Sequence, residues 1–267
     1  MLQWLSMGKY STAFQMALSR ELMYRANFIF GRLRALVIFT SLIFVFREFS
    51  QHAQGYSQEE LITYIVLAGF FYMVFFVYSC DLIAQDIVEG DLINYLLRPI
   101  HYFTFWFCRL AALRTLNIFA ALIGLTIILL VTQSSFFLQT NVFVLLQFIV
   151  LTVGAFVIIT LIDFNAGILS FWTYRSFGPR FMAFIGIQFL SGAYSPLDIF
   201  PHWLFQLYNA TPFPSIVFVP ITAYLGRMSE QGFLSACGVQ IVWILALGIL
   251  LALLWRKGIR SYEATGR

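Results

Sequence analysis

One acid, Asp163, stands within a long apolar run, with Asn165 two residues further on. An ionisable group at membrane depth is costly and by default marks an ion or substrate route. A proton-coupled carrier needs several such groups converging, and this run offers one acid and one amide. The plainer reading is an acid near the membrane interface, bonded to a neighbouring helix where the run bends or leaves the hydrocarbon. A second polar constellation, Asp81–Arg98, reads DLIAQDIVEGDLINYLLR and is the longest charged interruption in the chain. Gly90 can end one short helix in a left-handed conformation. Asp91 can cap the next through its carboxylate, and Pro99 stops that helix. Leu92, Ile93, Tyr95, Leu96 and Leu97 supply an apolar face. Two short helices are more structure than a simple connection needs.

Other chemistries lack their residues. A phosphate-binding G-x-x-x-x-G-K-[ST] loop requires a lysine followed by Ser or Thr. The lysines here, Lys9 and Lys257, precede Tyr10 and Gly258. Nucleotide binding by that route is not expected, nor is any cofactor on this chain. Neither G-x-S-x-G nor H-E-x-x-H occurs. His52, His101 and His202 lie far apart, and Cys80, Cys108 and Cys237 have no short pairing, so no metal site is expected. The cysteines read as free thiols buried as small apolar residues.

The elements that must hold these groups are membrane helices. The composition is 61% hydrophobic and 10% charged, which excludes an ordinary soluble domain. Five apolar stretches approach or reach the roughly 20 residues that a helix needs to cross the hydrocarbon. They fall near Leu33–Phe46, Leu61–Cys80, Leu116–Thr132, Val142–Leu161 and Phe233–Trp255, and a sixth, broken stretch covers Phe181–Leu225. With six spans and a cytoplasmic N-terminus, of the sixteen Lys and Arg only Arg47 and Arg227 lie outside. Retention of Lys and Arg on the cytoplasmic side therefore sets both termini inside. The net charge of +4 fits topology and lipid headgroups, not nucleic acid. Residues 1–26 place Leu2, Leu5, Phe14, Leu18 and Leu22 at helical spacing among Lys9, Arg20 and Arg25, an amphipathic helix lying in the interface. Arg109 and Arg114 are expected to snorkel to inner headgroups.

The segment after Arg180 is peculiar. Five of the seven prolines fall within Pro196–Pro220, yet the segment stays rich in Phe, Leu and Ile. Broken backbone at membrane depth must be buried in protein or line a cavity. Residues 191–225 therefore read as a re-entrant hairpin dipping in from the outer face, against the alternative of a kinked span with an external loop.

In this order the pieces resemble a family. An amphipathic N-terminal helix comes first. Glu89-Gly90-Asp91-Leu92 through Tyr95-Leu96-Leu97-Arg98-Pro99 follows span two. The run Leu190-Ser191-Gly192, Ser195-Pro196-Leu197, Phe200-Pro201, Trp203-Leu204 and Thr211-Pro212-Phe213 precedes the last span, which ends in a basic tail. Together they resemble the permease subunit of ABC-2 type (type V) ABC transporters, in a bacterial branch with a separately encoded ATPase. The resemblance implies one all-α transmembrane domain over 1–267. It would have six spans, an interfacial helix at 1–26, cytoplasmic coupling helices at 81–100 and an external re-entrant hairpin at 191–225 between spans five and six. It implies a bacterial inner-membrane exporter of hydrophobic, lipid-like, glycan or drug-like molecules, working as a dimer with an identical or homologous permease. ATP and Mg would bind partner ATPase subunits, not this chain. Asp86, Glu89, Gly90, Asp91 and Arg98 would couple to that ATPase. Gly192, Pro196, Phe200, Pro201, Trp203 and Leu204 would shape or seal the external gate. Asp163 and Asn165 stay as an intramembrane polar site. The rival reading is a secondary carrier or channel without an ATPase, and a membrane enzyme lacks the clustered groups it would need.

Overall fold

The computed structural model describes residues 14–15, 19, 25–49, 55–76, 80–97, 101–173 and 177–262. Most of the expected interfacial helix and residue Arg98 lie outside the described residues. The described residues form helices and turns and no strand. In chain order these are α1 (Arg25–Phe49), α2 (Gln58–Phe75), α3 (Cys80–Val88), α4 (Leu92–Leu96) and α5 (Tyr102–Thr132). There follow α6 (Val142–Ile168), a 3₁₀ turn at Leu169–Phe171, and α7 (Phe177–Leu190). A second 3₁₀ turn (Leu197–Ile199), α8 (His202–Asn209), α9 (Phe218–Tyr224) and α10 (Glu230–Arg260) complete the chain.

Among the described residues, five stretches are long and apolar enough to cross a bilayer: Phe28–Glu48, Gln58–Val88, Tyr102–Thr132, Val142–Phe171 and Glu230–Arg260. α7 has 14 residues, about 21 Å of helix against a hydrocarbon core of about 30 Å. The helices at Tyr102 and Val142 run further than their apolar cores suggest. Asp163 and Asn165 do not end α6, which continues to Ile168. Both side chains are buried, so the helix has no reason to stop at them.

α2 is the axis of the bundle. Residues from Leu61 to Gly69 are buried on every side, as expected for a helix apolar all round. It starts with a capping box: Ser57 Oγ accepts from the Glu60 amide, and the Ser57 amide donates to Glu60. α1, α5 and α9 pack around it, while α6 packs against α9 and α10. The outward faces of α1, α5, α6 and α10 carry exposed Leu, Ile, Val and Phe, the surface a lipid-facing helix presents. At the α3–α4 end an aromatic girdle closes the bundle. Trp255 of α10 stacks on Tyr102 (5.2 Å between centroids) and meets Phe103 and Phe171 edge-on.

Candidate coupling site and buried polar belt

The α3–α4 segment folds as its punctuation requires. Cys80, Ile83, Ala84 and Ile87 form the buried face of α3, which packs on the end of α6 and its 3₁₀ turn. Gly167 permits the approach, since a Cβ there would lie 2.8 Å from the Ile83 side chain. Gly90 adopts φ +86°, the left-handed turn expected between the two helices. Asp91 does not cap α4 with its side chain. Its backbone is right-handed helical, which carries the carboxylate away from the free amides, and it accepts instead from Asn94 Nδ2 at 3.3 Å. Glu89 and Asp91 are exposed, as are Ile93, Leu96 and Leu97, while Leu92 is buried. Asp86 faces α5: its Oδ2 accepts from Trp106 Nε1 (3.0 Å) and from the Tyr102 hydroxyl (3.2 Å). The other acid of α3, Asp81, meets Arg180 in the first turn of α7 at 3.0 Å. Arg180 Nη1 also donates to Ser170 Oγ at 2.7 Å.

Above this end lies a belt of buried polar groups. Arg114 does not snorkel. It sits twelve residues into α5, about 18 Å along the helix, with 2% of its surface exposed. Its Nη2 stands 3.5 Å from Asp163 Oδ2, and the guanidinium lies over the Phe156 ring at 4.7 Å. A buried charge must be paired, and here each partner supplies the other's countercharge. Arg109, by contrast, stacks over Trp106 at 4.5 Å. Asn165 Nδ2 donates to Leu161 and Leu247 carbonyls, tying α6 to α10. Arg32 of α1 donates to Asn117 of α5 and to the Met73 carbonyl of α2. That carbonyl belongs to the last turn of α2, where the helix leaves acceptors unfilled and its dipole favours a cation. Asp163 is visible as a candidate in the sequence, whereas its partner Arg114 reads there as an interfacial residue and is found buried beside it.

At the opposite end the hairpin is broken but satisfied. Gly192 turns the chain at φ +81°. Its carbonyl accepts from Tyr64 at 2.7 Å, and the Ser191 carbonyl accepts from the Phe218 amide at 3.0 Å. Pro196 and Pro201 stand at the starts of the 3₁₀ turn and α8. Ser191, Ala193 and Leu197 are buried, as is most of Ser215–Leu225, including α9, which packs against α6 and α2. Gln240 of α10 donates to the Ser215 and Leu151 carbonyls, and Gly154 leaves the space for it. α8 has no buried residue. Phe200 and Leu207 are exposed and Trp203 is 67% exposed, while Leu204 is half-buried. Trp203 is therefore not packing the hairpin onto its own bundle. Arg227 ties its own connection to the one before α2: it bonds Gly55 and Glu60 and lies 3.8 Å over the Tyr56 ring. The Tyr56 hydroxyl donates to Asp198 at 2.7 Å. Burial, and then that hydrogen bond, pushes the Tyr56 phenol above its ordinary range, so it remains a donor across physiological pH.

Two cavities flank α7. One, about 430 Å³, is lined by Cys80, Ile162, Asp163, Thr173, Arg180 and Phe184 among others. The other, about 510 Å³, lies between α1, α2 and α7, with Arg34, Tyr72, Asp81, Phe184, Gln188 and Tyr194 in its walls. Cys80 is buried in the first, whereas Cys108 and Cys237 are half-buried. Among the described residues no His, Cys, Asp and Glu cluster could hold a metal ion.

Among the described residues the chain is a helical bundle with five apolar helices long enough to cross a bilayer, which places it in the class of integral membrane proteins. Residues 33–266 match the family described as ABC-2 family transporter protein. The chain belongs to that family, whose membrane subunits carry no ATPase domain of their own. The comparison with curated proteins gave no significant match.

Proposed function

We propose that the chain is the permease of an ATP-driven exporter, in which two permeases sit on two cytoplasmic ATPase subunits that bind ATP and Mg. The observation that carries this reading is the α3–α4 element. It is a hinged pair of helices with exposed acids, Glu89 and Asp91, beside exposed Leu96 and Leu97. Acidic groups around an apolar patch suit a soluble protein partner. Gly90 sets the angle between the helices, and Asp86 secures the element to α5 rather than meeting the partner directly. Arg98 would complete the docking edge.

In this reading the bundle makes six crossings, α7 serving as the fifth, in the bacterial inner membrane with both termini inside. The hairpin enters from the outer face. Phe200, Trp203 and Leu204, held by Gly192, Pro196 and Pro201, close the outer mouth of the permease dimer by apolar contact, which excludes water without burying charge. The apolar walls around α7 favour a hydrophobic or lipid-like cargo. The rival carrier reading needs an available acid at Asp163, and the facing guanidinium of Arg114 argues against it. The deciding experiment is affinity purification of the permease from its native membrane. A co-purifying ABC ATPase with ATP hydrolysis supports the proposal; solute flux from purified permease alone, driven by an ion gradient, would overturn it.

A further inference from the structure

α3 carries two acids five residues apart, hence about 140° apart around the helix. One flank holds α5 through Asp86, and the other holds α7 through Asp81. The Asp81–Arg180 contact is largely shielded, with 19% and 13% of the two side chains exposed. Arg180 is poorly placed for the stability of α7 itself. It sits in the first turn, where the helix dipole disfavours a cation. Its position is favourable for Asp81, which lies in the first turn of α3, where a carboxylate is welcome.

The surroundings of α7 make this contact consequential. The cavities of about 430 and 510 Å³ lie on either side of it, and Phe184 lines both. Arg180 stands in the wall of one and Asp81 in the walls of the other. Between these two half-open clefts the middle of α7 touches the bundle through Phe184, edge-on to Phe76 at 5.6 Å, and polar contacts fasten the helix at its two ends. At the far end the fastening is the Gly192 turn, bonded to Tyr64 and, through Ser191, to Phe218. Packed interiors resist continuous deformation, but a helix flanked by open clefts and held chiefly at its ends can swing.

We propose that the Asp81–Arg180 pair is a pull-rod: displacement of α3 moves the base of α7, and α7 swings about the Gly192 turn to shift the hairpin. Asp81 and Arg180 act as positioning residues and need not touch either cargo or ATPase. The inference rests on the coupling reading above, since it supposes that the ATPase displaces α3.

The test uses the permease–ATPase complex in lipid vesicles, with Cys80, Cys108 and Cys237 replaced by alanine. A spin label is placed at Gly186→Cys on α7, where an added Cβ meets nothing within 4 Å. The readout is the oxygen accessibility of the label with and without ATP and vanadate. In the parent, nucleotide trapping changes that accessibility. Asp81→Asn and Arg180→Gln still hold the ATPase and still hydrolyse ATP, but lose the nucleotide-driven change at Gly186→Cys. The exchanged pair, Asp81→Arg with Arg180→Asp, recovers it, an outcome that a general loss of stability cannot produce. Should a single variant fail to assemble, Arg180→Lys, which keeps the charge, must retain the response. If the parent responds and the single-charge variants respond equally, or if an assembled exchanged pair stays silent, the pull-rod is wrong while the coupling reading stands. If the parent itself does not respond to nucleotide, α7 does not swing and the pull-rod is wrong, while the coupling reading is decided separately by co-purification of the ATPase.

Discussion

Arg114 and Asp163 set the behaviour of the bundle at the smallest scale. Removing one partner of a buried pair leaves an uncompensated charge and typically costs about 3–5 kcal/mol, whereas replacing both with apolar groups is far milder. Arg114→Leu should therefore lower the unfolding temperature in detergent sharply, and Arg114→Leu with Asp163→Leu should recover most of the loss. Equal instability of the single and double variants would show that the pair is not what holds α5 to α6. Gly192 poses a backbone problem instead. A side chain at φ +81° is strained, and its Cβ would lie 2.7 Å from the Tyr64 hydroxyl. Gly192→Ala should destabilise by about 1–3 kcal/mol, and Tyr64→Phe in the same chain should relieve the clash but not the strain. Thermal unfolding of the single and double variants separates the two contributions. The pairing itself was hidden in the sequence because it links residues 49 positions apart. An apolar helix does not announce which of its polar groups face protein and which face lipid headgroups.

At the scale of elements, the short helices were legible and the long ones less so. Gly90 and the prolines act locally, so the turn between α3 and α4 and the broken backbone of residues 191–225 could be read from residue types alone. The cap at Asp91 failed because it depended on a backbone angle that the neighbouring Gly90 turn sets. α2 and α10 are similarly apolar in sequence, yet one is the core and the other faces outward. Lipid and protein interior are equally apolar surroundings, which is why periodicity could not tell them apart. Gly90→Val places a β-branched residue at φ +86° and should weaken coupled ATPase activity while membrane insertion survives; undiminished coupling in a well-inserted variant would remove the hinge from the mechanism. In α8, Trp203 gains little from its own bundle, so Phe200→Ala with Trp203→Ala should leave folding and assembly intact. A gating role then shows as solute leak or altered transport, and transport like the parent's would dismiss it.

Across the whole molecule the arrangement of charge predicts orientation. In a background without the native cysteines, Ser57→Cys should react with a membrane-impermeant maleimide from outside the cell. Ser261→Cys should react only after the membrane is opened. Reaction of both from the same side would contradict an even number of crossings. Gln240 bears on a different matter, the order in which the chain can be made. The buried carbonyl of Ser215 in the broken segment takes its hydrogen bond from Gln240, a residue of the final helix. During synthesis, the hairpin reaches the membrane before that donor exists. Until α10 arrives, Ser215 must borrow water or leave its carbonyl bare in hydrocarbon, at a cost of several kcal/mol. A chain truncated before α10 lacks that donor, so it should be degraded in the membrane faster than the full-length chain, a difference that pulse-chase labelling would read.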